Sequence, residues 1–119
     1  MKIKKLETYT KSFVSFVKVT TDSGKFGYGQ MSTYHTDITT QIFHKQVAPW
    51  VLGKPWGDFD DLENLILEKE HKFPGSYLLR AIAGLDTALW DMKGRIENKP
   101  VVSLLGGDTG RLKIYGSSM

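Results

Sequence analysis

The sequence predicts an α+β domain in which a three-stranded antiparallel meander is followed by a bundle of helices. Two observations lead to this fold class. Apolar and polar residues alternate with a period of two over the first thirty or so residues, and from residue 36 onward apolar residues recur at helical spacing. Strands that precede helices, without alternating with them, are typical of segregated α+β layers. At 119 residues the chain fits one ordinary domain and can bury a core.

Three strands are predicted, at 3–9, 13–21 and 26–31. The middle segment, FVSFVKVTT, is rich in β-branched and aromatic residues, which favour strands. Residues 22–25 contain a serine and a glycine and form the turn that follows it. Two glycines within the third strand indicate a bulge or a close approach of another backbone.

Three longer helices are predicted after the strands. The first has Thr36 or Asp37 as its cap and runs to about residue 47, and we expect Pro49 and then residues 53–55 to end it. The second covers 58–72, with acidic residues in its first turn, as the helix dipole favours. The third covers 77–97, with Ser76 as its N-cap.

The chain then continues through a short fourth helix and a final strand. Asn98 suits the left-handed position after a helix, and Pro100 suits the first position of the next one. Gly106 follows that short helix, and residues 111–117 read as one more strand. No internal repeat or linker is visible.

Composition and charge argue against several classes of protein. Hydrophobic content of 40% and charged content of 24% are typical of a globular domain, and the net charge of +3 comes from scattered lysines. We therefore expect neither nucleic acid nor membrane as a partner. The first residues lack the apolar core of a secretory signal, so we take the cytoplasm as the default location. The absence of cysteine excludes disulfides and thiolate metal sites and leaves the compartment open.

No residue pattern within the chain predicts catalysis. Asp86 and Asp91 lie five apart on the third helix and therefore point about 140° away from each other. They cannot share a metal ion, and Asp91 instead has Arg95 four residues ahead as a partner. Nucleophile, phosphate-loop and zinc motifs are absent from the sequence. On the residues alone this is a non-catalytic domain.

The histidines are scattered, and one of them lies in a candidate binding loop. His44 and His71 fall on predicted helices beside lysines, where exposed surface positions are expected. Tyr34 and His35 lie between the third strand and the first helix. A loop that presents such side chains from a rigid scaffold is a plausible binding element, although an ordinary helix-entry loop would have the same composition.

Residues 81–107, AIAGLDTALWDMKGRIENKPVVSLLGG, carry a specific family signature. Their order and spacing resemble the N-terminal signature of the mandelate racemase and muconate lactonizing enzymes, within the enolase superfamily. The residues in register are Ala81, Gly84, Leu85, Asp86, Ala88, Leu89, Asp91, Gly94, Arg95, Pro100, Leu104, Leu105 and Gly106.

The resemblance implies that residues 1–110 are a capping domain and that 111–119 are the first strand of a C-terminal (β/α)7β barrel. In the family, three barrel carboxylates hold Mg²⁺, and barrel Lys or His bases remove the proton α to a substrate carboxylate. The metal stabilises the resulting enediolate. We therefore expect no catalytic residue and no metal ligand in this chain, and no activity from the 119 residues alone.

Two cap loops touch the substrate in the family, and by position they are 9–12 and 30–37 here. The first loop is short, and Gln30 stands where relatives often carry glutamate. Both features favour a larger polar substrate. The predicted substrate-binding residues are Gln30, Ser32, Tyr34, His35 and Ser118.

The favoured function is the specificity cap of a Mg²⁺-dependent acid-sugar dehydratase, with a small carboxylate as substrate. A racemase, epimerase or cycloisomerase of the same family is the alternative, because these reactions differ in barrel residues. A free-standing binding module is a further alternative of another class. The resemblance also implies a homo-oligomer.

Overall fold

The computed structural model describes residues 1–117, and it shows the predicted sheet followed by helices. Strands β1 (Ile3–Lys11), β2 (Val14–Thr21) and β3 (Phe26–Gln30) form one antiparallel sheet in the order β1-β2-β3. The three-stranded meander is therefore confirmed.

The helical part begins with one continuous helical segment that contains a π-helical turn, and it ends with a short helix. The segment consists of α1 (Thr36–Ile42), a π-helical turn (Phe43–Val47) and α2 (Ala48–Val51). Three helices follow, α3 (Phe59–Lys69), α4 (Ser76–Glu97) and α5 (Val101–Leu104).

The core lies between one face of the sheet and the helices. Val17 and Val19 of β2 are fully buried there, as are Ala88 and Met92 of α4. The 22-residue helix α4 crosses the sheet along β3. Helix α4 contacts β2 and β3 on one side and the other helices around it, so it lies at the centre of the core.

The expectation that Pro49 ends the first helix is wrong. Proline has no N–H and collides with the preceding helical turn, so an uninterrupted α-helix would break there. The chain instead widens into the π-helical turn, in which the Ala48 N–H donates to the Phe43 carbonyl. Pro49 then occupies the first turn of α2, where its missing N–H costs nothing.

The starts of three helices differ from prediction. The N-cap of α1 is His35, and Thr36 and Asp37 are the first residues of the helix. Ser76 is the first residue of α4 and not its N-cap, since Gly75 precedes the helix and no side chain caps it. Pro100 is the N-cap of α5 and not its first residue. Asn98 adopts the predicted left-handed conformation, with φ 51°.

Residues 108–117 form neither helix nor strand. Leu112, Ile114 and Tyr115 of this segment are 88%, 93% and 89% exposed, so their apolar side chains have almost no contact with the domain. A strand needs a neighbouring strand edge for its backbone hydrogen bonds. The assignment of 111–119 to a barrel strand stays a prediction.

Candidate functional site

The predicted substrate loop, residues 30–37, reaches the N-terminal part of α4 because β3 runs antiparallel to that helix. A side chain at Gly29 would overlap the Gly84 carbonyl, and one at Gly27 would overlap the Ala88 carbonyl. Two residues along a strand cover about 6.6 Å and four along a helix about 6 Å, so the two elements advance in step. The residues after β3 therefore lie beside the turn of α4 that precedes Gly84.

The other predicted loop is a tight hairpin turn. Lys11 pairs with Val14, so β1 extends through most of the predicted 9–12 loop, and only Ser12 and Phe13 connect the strands. Ser12 has φ 50°, the left-handed conformation that such a tight reversal requires.

A buried hydroxyl joins the two loops. Thr36, 3% exposed, donates from its Oγ1 to the Ser12 carbonyl at 2.6 Å. Behind it, the hydroxyls of Thr10, Ser15 and Thr40 form a closed triangle with distances of 2.7, 2.7 and 3.1 Å. Ser15 and Thr36 are buried, Thr40 is partly buried and Thr10 is exposed. Polar groups that satisfy one another hold their elements in one arrangement, so the hairpin turn and the start of α1 are fixed together.

Loop 30–37 contacts α4 through two pairs of side chains. Arg80 donates a hydrogen bond from its guanidinium to the Ser32 hydroxyl. The His35 ring lies edge-on to Tyr77, with ring centres 6.2 Å apart. Tyr77 and Arg80 are three apart on the helix and therefore project from the same side. His35 itself has φ 54°, which turns the chain sharply into α1.

Tyr34 faces the hairpin turn. Its ring makes an edge contact with Phe13 at 6.5 Å between centres, and both side chains are exposed. Aromatic side chains that remain exposed on a fixed surface offer an apolar wall to a ligand.

The structure separates the remaining predicted site residues from this cluster. Gln30 pairs with Phe16 at the end of β3, and because strand residues alternate between faces, it lies on the opposite face from Gly29 and α4. Ser118 lies outside the described residues. Ser32, Tyr34 and His35 are the predicted site residues that share one surface.

Sequence reasoning missed Tyr77, Arg80 and Phe13 as members of this surface, and it missed Thr36 as the buried residue that joins the two loops. A signal for Arg80 was present, because the two glycines of β3 and the small residues of α4 fix the register of strand and helix. Counting back from Gly84 by one helical turn places residue 80 beside the residues that follow β3. The contact from Thr36 to a backbone carbonyl had no such signal.

The two aspartates of α4 have different surroundings. Asp91 accepts hydrogen bonds from the Tyr28 backbone N–H and from Arg95 Nε, each at 2.8 Å, which confirms the predicted pair with Arg95. Burial raises the pKa of Asp86 above its ordinary value; Asp60 adds a smaller upward effect, and the Trp90 side chain partly opposes both.

The remaining histidines also have local partners. His44 is exposed and its Nε2 lies 2.7 Å from Thr8 Oγ1, while the ring of His71 reaches the Glu68 carbonyl at 2.8 Å. Neither contacts loop 30–37 in the part of the chain that the structure describes.

Residues 1–117 contain no group of three or more ligating side chains that could hold a metal ion. The described residues therefore do not fit a metal site of their own. Among the same residues, no helix is both long and apolar enough to cross a membrane.

The chain also matches a known protein family. Residues 3–106 match the family described as mandelate racemase / muconate lactonizing enzyme, N-terminal domain. The chain belongs to this family. The resemblance seen in the signature of α4 and α5 is thereby confirmed, as is the fold of an enolase-superfamily N-terminal domain.

Curated relatives of this family member include sugar-acid dehydratases. The chain is 38% identical over 95 residues to a D-galactonate dehydratase family member from Paenibacillus sp. (strain JDR-2), covering 78% of this chain and 23% of that protein. It is 34% identical over 108 residues to a D-galactonate dehydratase from Cronobacter sakazakii, covering 90% and 28%. The chain thus spans about a quarter of the length of these relatives.

Solved structures share the fold closely. A candidate racemase from Roseobacter denitrificans is 56% identical with a TM-score of 0.88, covering 91% of this chain and 30% of that one. An enolase described as a candidate galactarate dehydratase from Agrobacterium radiobacter, with Na and L-malate bound, is 29% identical with a TM-score of 0.79, covering 90% and 28%. A family member from Paracoccus denitrificans PD1222 complexed with magnesium is 29% identical, with a TM-score of 0.80 and coverage of 89% and 30%.

Proposed function

We propose that this domain is the substrate-specificity cap of a Mg²⁺-dependent enzyme that removes the proton α to the carboxylate of an acid sugar and then expels the β-hydroxyl as water. The observation that carries the proposal is the naming of two curated relatives, 38% and 34% identical, after D-galactonate dehydratase. The structure with L-malate bound adds a small hydroxy acid as ligand of a neighbour.

The surface formed by loop 30–37, the hairpin turn and the first turns of α4 supports this proposal. It presents hydroxyl, imidazole and guanidinium groups, which match the hydroxyls and carboxylates of an acid sugar. Hydrogen bonds of this kind hold a polyol in one orientation, and the exposed rings of Tyr34 and Phe13 would exclude water from one side of it.

A second surface supports the presence of a partner domain. Phe73 and Leu79 lie beyond α3 and on α4, and they are 68% and 54% exposed. Exposed apolar side chains of this size mark a surface that another element covers. In the proposal the barrel covers it and supplies both the Mg²⁺ ligands and the bases, so no described residue is assigned a catalytic step.

Racemisation is the second candidate, because the structure that is 56% identical is a candidate racemase. Both reactions begin with loss of the α-proton and diverge afterwards. Dehydration loses the β-hydroxyl and yields a 2-oxo-3-deoxy acid, whereas racemisation returns a proton to the same carbon.

The test uses the full-length protein with Mg²⁺ and a panel of aldonic and aldaric acids in D₂O. A 2-oxo acid product, measured as its semicarbazone, would support the dehydratase. Deuterium at the α-carbon without loss of water would support the racemase instead. A protein with neither reaction on any acid sugar, or an intact natural mass near the 13.4 kDa of this chain, would contradict the proposal and favour a binding module.

The role of loop 30–37 has its own test. Replacing Tyr34 by Phe and His35 by Asn removes a hydroxyl and an imidazole, while asparagine tolerates the left-handed backbone of position 35. We expect kcat/KM to fall about tenfold, the effect of losing roughly one hydrogen bond to the transition state. An unchanged kcat/KM would show that this loop does not select the substrate.

A further inference from the structure

We propose that Arg80 binds the second carboxylate of a dicarboxylic acid sugar, so that this cap selects aldaric over aldonic acids. The inference rests on the proposed function, because it assigns a substrate class to the same surface. It starts from the charge and contacts of one side chain that the family signature does not include.

Arg80 is held at loop 30–37 without a charged partner. The side chain is exposed, and its guanidinium donates to the uncharged Ser32 hydroxyl. The salt bridges found within residues 1–117 involve Lys5, Arg95 and Lys99, so Arg80 has no carboxylate partner there.

Arg95, on the same helix, provides the contrast. It donates from Nε to Asp91 at 2.8 Å, and its guanidinium lies over the rings of Phe26 and Tyr28, 5.3 and 5.8 Å from their centres. Its donors and its flat face are thus used within the domain. A guanidinium has five N–H donors in a planar fork that fits a carboxylate, and Arg80 contributes one of them to Ser32.

The groups around Arg80 suit the rest of such a substrate. His35 and Tyr77 lie in edge contact beside the Ser32–Arg80 pair, and these four side chains include no acid. A hydroxyl, a phenol and an imidazole can hydrogen-bond to sugar hydroxyls, while the cation attracts an anionic end.

Aldonic and aldaric acids differ at one end of the sugar's carbon chain, and this is the end that Arg80 would bind. One carboxylate is common to both classes and lies next to the carbon that loses its proton. The other end is a hydroxymethyl group in an aldonic acid and a carboxylate in an aldaric acid. Relatives carry both names, D-galactonate dehydratase and candidate galactarate dehydratase, so the family alone does not choose between them.

The test compares galactarate with galactonate, which share their stereochemistry, in the full-length enzyme with Mg²⁺. For Arg80→Met we expect kcat/KM on galactarate to fall roughly 10- to 100-fold, mainly through KM, as loss of a charge-assisted hydrogen bond predicts. On galactonate we expect less than a threefold change. Arg80→Lys should restore part of the preference, because it keeps the charge and loses the fork.

Two further variants test whether the change in preference comes from the Arg80 contact itself, and not from misfolding or from the loss of a positive charge anywhere on the domain. Ser32→Ala should weaken the galactarate preference by a smaller factor, because it removes the hydroxyl that orients the guanidinium and leaves the charge in place. Lys72→Met removes an exposed cation elsewhere and should leave the preference unchanged. If Arg80→Met does not fold, as judged by its Tm, the lysine and Ser32 variants carry the comparison.

The outcomes distinguish this inference from the proposed function. Equal losses on both substrates, an unchanged preference, or a wild-type enzyme that dehydrates galactonate and not galactarate would overturn the role of Arg80 while the dehydratase stands. A wild-type enzyme that converts no acid sugar would overturn both.

Discussion

The contact between β3 and α4 and the loop surface next to it are built in opposite ways. Along the contact, glycines bring the two backbones so close that no side chain fits between them, and the residues are buried. On the loop surface, Ser32, Tyr34 and His35 are at least partly exposed and are held by single polar or aromatic contacts.

The contact between β3 and α4 is a rigid framework, whereas the side chains of the loop surface can be substituted, and the substrate that the surface selects can change with them. Close backbone packing tolerates almost no added volume, because a new atom must move the backbone. An exposed side chain held by one contact can be exchanged at little cost in stability. The domain therefore fixes where the loop lies and leaves its side chains variable.

Gly29→Ala attacks the framework most directly. The new methyl group would overlap the Gly84 carbonyl and crowd the Ala88 N–H, so β3 and α4 must separate. We expect a loss of about 3 kcal/mol in the free energy of unfolding, at the upper end for overpacking. Urea unfolding of the full-length protein measures it.

Gly57→Ala is the matched control for that change. Its Cβ would meet nothing within 4 Å and its φ is not positive, so we expect a change within about 0.5 kcal/mol. Similar losses for the two variants would mean that the close approach is not what stabilises the framework.

Asp91→Ala removes the polar connection between the same two elements. The Tyr28 N–H and Arg95 both lose their acceptor, and hydrogen bonds to a charged group contribute about 1.5–3 kcal/mol. We expect a loss of about 2 kcal/mol by the same measurement. Glu97→Ala, which breaks an exposed pair with Lys99 at 3.7 Å, should cost less than about 0.5 kcal/mol.

Thr36→Val tests the connection between framework and loop surface. The substitution keeps the shape and removes the hydroxyl that donates to the Ser12 carbonyl, so we expect a loss of about 1 kcal/mol. We also expect a lower kcat/KM on acid sugars, because the hairpin turn and loop 30–37 lose their common anchor. The exposed Thr33→Val should leave the free energy of unfolding unchanged; an equal loss of stability from both threonines would contradict the anchor.

Asp86→Asn has the smallest expected effect, and this effect appears only when the free energy of unfolding is measured as a function of pH. The folded state holds a proton on this carboxyl more tightly than the unfolded chain does, because its pKa is raised by burial. Its contribution to stability is therefore largest below the unfolded pKa of about 4 and falls as pH rises through the folded pKa. Asp86→Asn should lack this fall. The free energies of unfolding of the two proteins, measured from pH 3 to 7, should therefore converge at the acid end. A difference that grows toward acid would reverse the assignment.

Much of the framework could be predicted from local patterns. Alternation located the three strands, helical spacing located α3 and α4, and Asn98 marked the end of α4. These features depend on neighbours within a few residues, and such neighbours are visible in a sequence. The path around Pro49 was wrong, because a proline can end a helix or follow a widened turn within it, and the local sequence does not distinguish the two.

The candidate site was predicted only in part. Its loop and three of its side chains follow from the sequence and the family signature, whereas the separation of Gln30 onto the other face depends on the register of β3. By itself, the sequence determined the family, the order of the sheet and the helices, and the pairing of Asp91 with Arg95. The glycines of β3 and the small residues of α4 carry a signal for Arg80, whereas the tertiary structure alone decided that Tyr77 joins His35 and that Thr36 fastens the hairpin turn. Those contacts join residues far apart in the chain. The packing of β3 against α4 brings Arg80 and Tyr77 to the loop, and the packing of α1 against β1 and β2 brings Thr36 to Ser12.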